Sequence, residues 1–229
     1  MNKIYLFALF IAVASANLAV DLSNIVPSQE ILNCLGKEGV SKAIFDISGR
    51  TGILSTYFLD SYNSARGAGI ATVDGIVVVN DNLSVSELSA SVASALPASF
   101  NGIIWLQVCD HPSLWSEDLS KRISYLESLV LAFKQHGVKV GVSSNEKTWI
   151  SVFGSQGVGS DILKAAPIWY ANDNGNQNFD DFSYAGFGTW TQPALKDYQK
   201  DVWICGITLV SFNYYDANAE VSNNRRFLN

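Results

Sequence analysis

Cys109, Asp110 and His111 set a thiol, a carboxyl and an imidazole side by side in the chain. A thiol beside an imidazole is a pair used in nucleophilic catalysis, the imidazole taking the proton and the thiolate attacking. Closeness in sequence alone is weak support for such a pair, and a plain buried thiol is the expected role of Cys109. The other reactive candidates are the carboxyl groups of Asp21, Asp46 and Asp110, each on or at the end of a predicted strand. Carboxyl groups in pairs can give and take protons during bond cleavage. No group of His or Cys residues has metal-ligand spacing, so no metal and no cofactor is expected.

Strands must hold these side chains in place. Ile103 to Cys109 is apolar and β-rich, opened by Asn101-Gly102 and closed after Asp110 by His111-Pro112, as expected of a buried strand. Side chains on a strand alternate between faces, so Gln107 and Cys109 share one face and Leu106, Val108 and Asp110 take the other. Asp110 reaches the face of Gln107 only if the strand bulges. Asp46 on the strand Ala43 to Ile47 shares a face with Ile44 and Ser48. Further strands are expected at Leu18 to Leu22, Val73 to Val79, Val138 to Val142, Ile168 to Ala171, Leu195 to Tyr198 and Ile207 to Tyr214. Helices are expected at Ser28 to Gly39, Asp60 to Gly67, Ser84 to Leu96, Glu117 to His136 and Thr148 to Gly154. Ser84 and Glu87 form a capping-box pattern, and His136 suits a helix C-terminus. Strands alternating with helices imply a parallel sheet. No glycine-rich phosphate loop follows the first strand, which disfavours a dinucleotide fold. The strand count fits a closed barrel, with working residues at the C-terminal strand ends.

Lys3, the apolar run Ile4 to Val13 and the small residues Ala14-Ser15-Ala16 read as a secretory signal cleaved after Ala16. The run is short for a membrane span. Residues 17–229 then suit one barrel-sized domain. Hydrophobic residues make up 48% and charged residues 16% of the chain, enough for a large core. A net charge of −6 argues against nucleic acid or an anionic membrane as a partner. Asn82-Leu83-Ser84 is a glycosylation sequon in an expected loop. Three cysteines in a secreted chain leave at least one without an intramolecular partner.

Several segments, in order, resemble the glycoside hydrolase family 25 lysozymes. They are Val20-Asp21-Leu22-Ser23; Asn33-Cys34-Leu35 through Ala43-Ile44-Phe45; Gly67-Ala68-Gly69-Ile70 with Val73-Asp74; and the strand ending in Gln107-Val108-Cys109. They continue with Gly137 to Val142, Ile168-Trp169-Tyr170-Ala171, Phe179 to Phe182, Phe187 to Pro193, Tyr198-Gln199, Cys205-Gly206 and Asn213-Tyr214-Tyr215. The resemblance implies an α/β fold, a single irregular (β/α) TIM-like barrel. It also implies action on bacterial peptidoglycan or a related polysaccharide, and a monomer in the extracellular space or the endolysosomal lumen. It pairs Cys34 with Cys205, as in the eukaryotic branch, and leaves Cys109 free. It nominates Trp169, Tyr170, Asp46 and Asn213 as glycan contacts.

The departures gather in the expected cleft. The family's central Asp and Glu correspond to Gln107 and Cys109, and an Asp on its last strand corresponds to Ser211. Asp46 stands where an Arg is usual, Ser48 and Ile76 where aromatics are usual. Asp21 is the one retained acid of the set. Glycosidic cleavage needs a proton donor for the leaving oxygen and a second group to stabilise the cationic centre. Gln cannot deliver a proton, and a buried thiol is a poor acid. The sequence therefore predicts a glycan-directed, secreted, lysozyme-like protein with impaired catalysis. The alternatives are an active muramidase, with Asp46 or Asp110 in a rearranged site, and a non-catalytic interaction protein.

Overall fold

The structure, a computed structural model, describes residues 18–216. The expected signal segment 1–16 and residues 217–229 lie outside the described residues. Eight strands close a barrel in sequence order. They are β1 (Leu18–Asp21), β2 (Val40–Ser48), β3 (Thr72–Val78), β4 (Ile104–Gln107), β5 (Val140–Ser144), β6 (Ile168–Ala171), β7 (Leu195–Ile204) and β8 (Ile207–Tyr215). Neighbours from β1 to β7 are parallel, whereas β8 is antiparallel to both β7 and β1. The irregularity follows from the connections. A two-residue turn joins β7 to β8, too short for the crossover that a parallel strand needs. Its residues, Cys205 and Gly206, both have positive φ, 52° and 80°. That is the requirement of a type I′ hairpin turn, whose twist suits the flanking strands.

The helices are α1 (Gln29–Lys37), α2 (Phe58–Gly67), α3 (Val85–Ala95), α4 (Leu119–Gln135), α5 (Glu146–Phe153) and the single turns α6 (Asp161–Lys164) and α7 (Phe182–Ala185). Ser28, Ser84, Asp118, Asn145 and Ser160 each accept a backbone N–H at a helix start, which satisfies donors the helix itself cannot pair. The expected elements are present, with ends shifted by a few residues. Two differences matter. β4 stops at Gln107, two residues before the predicted end, and β7 runs six residues further than predicted.

Two apolar layers hold the barrel. The larger lies outside it, where Val20, Phe45, Val77, Leu106, Val142 and Tyr170 meet the helices. The inner layer comprises Ala19, Ile44, Ile76, Trp105, Trp169, Leu195 and Tyr215. Trp105 and Trp169 meet edge-on across the interior, with ring centroids 5.8 Å apart. Gly141 makes room for them, since a Cβ there would lie 2.5 Å from the Trp105 ring.

Deeper in the interior, the Lys42 Nζ lies 3.3 Å from Asp74 Oδ2 and 4.7 Å from the centre of the Tyr215 ring. Asp74 also accepts from Trp105 Nε1 and from the Ile103 N–H, each at 2.9 Å. Lys42 and Asp74 are both buried. Removing one partner of a buried, hydrogen-bonded pair costs about 3–5 kcal/mol, because the other charge keeps its desolvation penalty. Asp74→Ala is therefore expected to lower the unfolding free energy by about that amount. Chemical denaturation at constant m-value would measure it, and a loss under about 1 kcal/mol would contradict this role.

Candidate functional site

Strand alternation sends a second tier of side chains into the C-terminal mouth of the barrel, above the inner apolar layer. Asp21 follows Ala19 on β1, Asp46 follows Ile44 on β2, Gln107 follows Trp105 on β4 and Asp197 follows Leu195 on β7. On the antiparallel β8, Ser211 and Asn213 precede Tyr215 on the same face. The pairing fixes their neighbours. Asp21 lies opposite Ser211, and Asp197 opposite Asn213. Thus Asp21, Ser211, Asn213 and Asp197 form one continuous wall across β1, β8 and β7.

The mouth is acidic, and its acids resist ionisation. Burial raises the pKa of Asp21, partly opposed by hydrogen bonds from Ser23, whose N–H donates to Asp21 Oδ1 at 2.9 Å. Burial, and then the charge of Asp21, push Asp46 up to about 6. Burial also pushes Asp197 up to about 7. The charges of Asp21 and Asp173 add to that rise, while Lys200 and a hydrogen bond with Ser211 oppose it. Asp197 Oδ1 and Asn213 Oδ1 are buried with no hydrogen-bond partner. Both are acceptors, and a proton on Asp197 would supply the missing donor.

These shifts fix a sign for the pH dependence of stability. Folded-state pKa values above the unfolded value mean that the native state binds more protons, so stability falls as pH rises. The contribution is complete below the unfolded value of 3.8 and is lost as pH climbs through about 6 for Asp46 and about 7 for Asp197. Thermal unfolding is expected at higher temperature in mild acid than at neutral pH, with a shallower slope in Asp197→Asn. An unchanged slope in that variant would contradict a buried, proton-holding Asp197.

The rest of the Cys109 segment sits differently from expectation. Cys109 lies past the end of β4, half-buried and packed against the outer apolar layer, rather than mid-barrel. Ladder bonds reach Val108, whose N–H donates to the Ser143 carbonyl at 2.9 Å, and beyond them the indole Nε1–H of Trp115 donates to the Cys109 carbonyl at 2.6 Å. Cys109 is a free thiol. Burial raises its pKa, Arg50 opposes that rise, and Asp110 and Asp46 add to it. His111 does not serve it. Its Nδ1 accepts from the Ser113 N–H at 3.3 Å and caps a short 3₁₀ turn at Pro112–Leu114. Asp110 is exposed, and no bulge turns it inward.

Trp169 and Tyr170 are only 3% and 0% exposed, so neither presents a ring face to a sugar. Trp169 is part of the inner layer. Tyr170 points outward and donates to Asp181 Oδ1 at 2.7 Å. Asp181 also receives Lys196 Nζ at 2.8 Å and the amides of Asn172 and Asn174. Burial works against the Asp181 charge, but bonds from Lys196, Tyr170 and Asn172 outweigh it and lower the pKa. Asp181 thereby ties the loop after β6 to β7. Asp46 and Asn213, the other two nominated contacts, do line the mouth, although Asn213 is fully buried. Asp197 and Asp181 were absent from the sequence-level candidates. Alternation from Leu195 was a usable signal for Asp197, whereas the partners of Asp181 are visible only in three dimensions. No cluster of three or more metal-ligating side chains occurs among the described residues.

A (β/α) barrel with carboxylates collected at the C-terminal strand ends is an architecture of glycoside hydrolases. The profile of the family described as "Lysozyme-like protein 1" matches residues 12–198. "Probable GH family 25 lysozyme 4" of Dictyostelium discoideum is 31% identical over 185 residues, covering 80% of this chain and 83% of that protein. The chain belongs to this family of family 25 lysozymes and lysozyme-like proteins. Solved structures agree on the fold. A bacterial lysozyme from Streptomyces coelicolor superposes with a TM-score of 0.70 at 15% identity, covering 90% of this chain and 97% of that one. A family 25 glycosyl hydrolase from Bacillus anthracis gives 0.65 at 13% identity, covering 90% and 92%.

Proposed function

We propose that this protein is a secreted, monomeric lysozyme-like protein directed at bacterial wall glycan, with hydrolysis impaired and binding retained. Family membership supports the glycan as target. The observation that carries the impairment is the make-up of the mouth. Gln107 and Ser211 project inward from β4 and β8, where the resemblance expects acids, and a thiol, Cys109, stands just past the end of β4 where it expects the other. Asp21 is the one family acid in place. Asp46 and Asp197 are also carboxyl groups, raised to about 6 and about 7 mainly by burial and further by the charge of Asp21, but neither stands at a position where the resemblance expects an acid. The acidic mouth and the overall charge of −6 fit neither nucleic acid nor an anionic membrane. No helix among the described residues is long and apolar enough to cross a membrane.

Co-sedimentation with insoluble peptidoglycan tests the binding, and a turbidity assay on the same walls tests the chemistry. Sedimentation without clearing is expected. Clearing would favour the active-muramidase reading, and the absence of both would favour a barrel used only as an interaction scaffold.

A further inference from the structure

A cleft of about 290 Å³ opens beside the mouth, between the loop that follows β1 and the loop that follows β2. One wall is apolar and partly exposed to solvent. Val26, Ile53 and Tyr57 are 60%, 74% and 57% exposed, large values for such side chains, and all three line this cleft. Ser23, Ser55 and Ser61 line it as well, and Asp46 is its one charged lining residue. Asp46 has no ion-pair partner among the described residues, and the neighbouring charge that acts on it is another carboxylate, Asp21. The volume is at the small end of ligand cavities, roughly 300–1,000 Å³, and suits a single ring rather than a long segment.

We propose that this cleft binds an amino sugar whose amine is free, its ring lying against Tyr57 and Ile53 and its ammonium meeting Asp46. The reading rests on the glycan-directed function above and narrows the glycan. A sugar ring has an apolar face and a hydroxyl-bearing edge, matching the apolar wall and the serines. The carboxylate decides between forms of the sugar. An N-acetylated amine is neutral and brings nothing to offset the desolvation of Asp46. A protonated amine forms a charge-assisted hydrogen bond with it, stronger than a neutral one, and relieves the repulsion from Asp21. Sugars with a free amine occur in chitosan-type polymers and in de-N-acetylated bacterial walls, and the cleft chemistry is the same for both.

Binding of glucosamine oligomers and of N-acetylglucosamine oligomers of equal length, measured by calorimetry at near-neutral pH and low salt, tests this on the wild-type protein. The free-amine oligomer is expected to bind about 10- to 100-fold more tightly, the span of one hydrogen bond to a charged group. Added salt should shrink the difference. Asp46→Asn should abolish the preference, while Tyr57→Ala should weaken both ligands alike. Equal affinities, or tighter binding of the acetylated oligomer, would overturn this proposal and leave the glycan-directed reading standing. Binding of neither oligomer would overturn the proposal, and if walls were not bound either, the broader reading would fall with it. Walls assayed before and after chemical N-acetylation separate the two sources. Weaker sedimentation after acetylation places the amine in the wall. Unchanged sedimentation with a retained oligomer preference supports the cleft and assigns its ligand to a chitosan-type polymer.

Discussion

Gram-positive walls mixed with the purified protein are expected to stay turbid. The general acid alone is worth about 10²–10⁴-fold in a typical enzyme, and here a second charged group is absent from the expected place as well. Neither Gln107 nor Ser211 can protonate a leaving oxygen at any pH at which the protein is folded. The triple variant Gln107→Asp, Cys109→Glu, Ser211→Asp puts acids where the resemblance expects them and is expected to recover only weak lysis. A Glu at position 109 would start from a backbone two residues past the end of β4, its carbonyl bonded to the indole of Trp115. An Asp at 211 would face Asp21 and stand beside Asp197, in a mouth already raising the pKa of its carboxyl groups. Two outcomes would sink this reading. Clear lysis by the wild-type protein that vanishes in Asp21→Asn would point to a working site built from Asp21 with Asp46 or Asp197. Full activity in the triple variant would show that the remainder of the cleft is intact.

What alternation alone determines was readable before any coordinates. The inward placement of Gln107 and Asp46 follows from period two along β4 and β2, and both strands are apolar enough to leave one register. The barrel was equally legible, since the strand–helix order leaves few topologies. Cys109 was misplaced because period two was extended past the point where pairing ends. Beyond that point the Cys109 carbonyl is taken by a side chain six residues later, a contact that no local pattern encodes. Trp169 and Tyr170 show a related limit. The strand Ile168–Ala171 was found to the residue, but aromatic type at a strand end does not separate a sugar platform from core. That choice was made by Trp105 on the inside and by Asp181 with Phe182 on the outside. The reach of β7 was missed because its second half is exposed and carries Lys200 and Asp201, so burial patterning fades there.

Reduction of the Cys34–Cys205 disulfide is expected to lower stability by about 5 kcal/mol, the chain-entropy value for a loop of more than 100 residues. The bond is present, with a sequence separation of 171, so it closes most of the folded chain. Its position gives a native-state effect on independent grounds. Cys205 is the first residue of the hairpin turn, at the far end of strands whose register shifts between Asp197 and Gln199, between Gln199 and Val202 and between Val202 and Ile204. Such shifts bend the ribbon and interrupt its ladder, so its outer half depends on the tether to α1. The same strands carry Asp197 and Ser211 at their inner ends. A Cys34→Ser, Cys205→Ser variant should therefore show earlier denaturant unfolding and faster amide exchange over 199–210. Under non-reducing, denaturing conditions the wild-type protein should take up one thiol label, on Cys109. A loss of stability under about 1 kcal/mol would mean that the outer hairpin holds itself in place. A peptide linking Cys109 to either partner would contradict the pairing, and with it the placement of the loop after β4 at the edge of the acidic mouth.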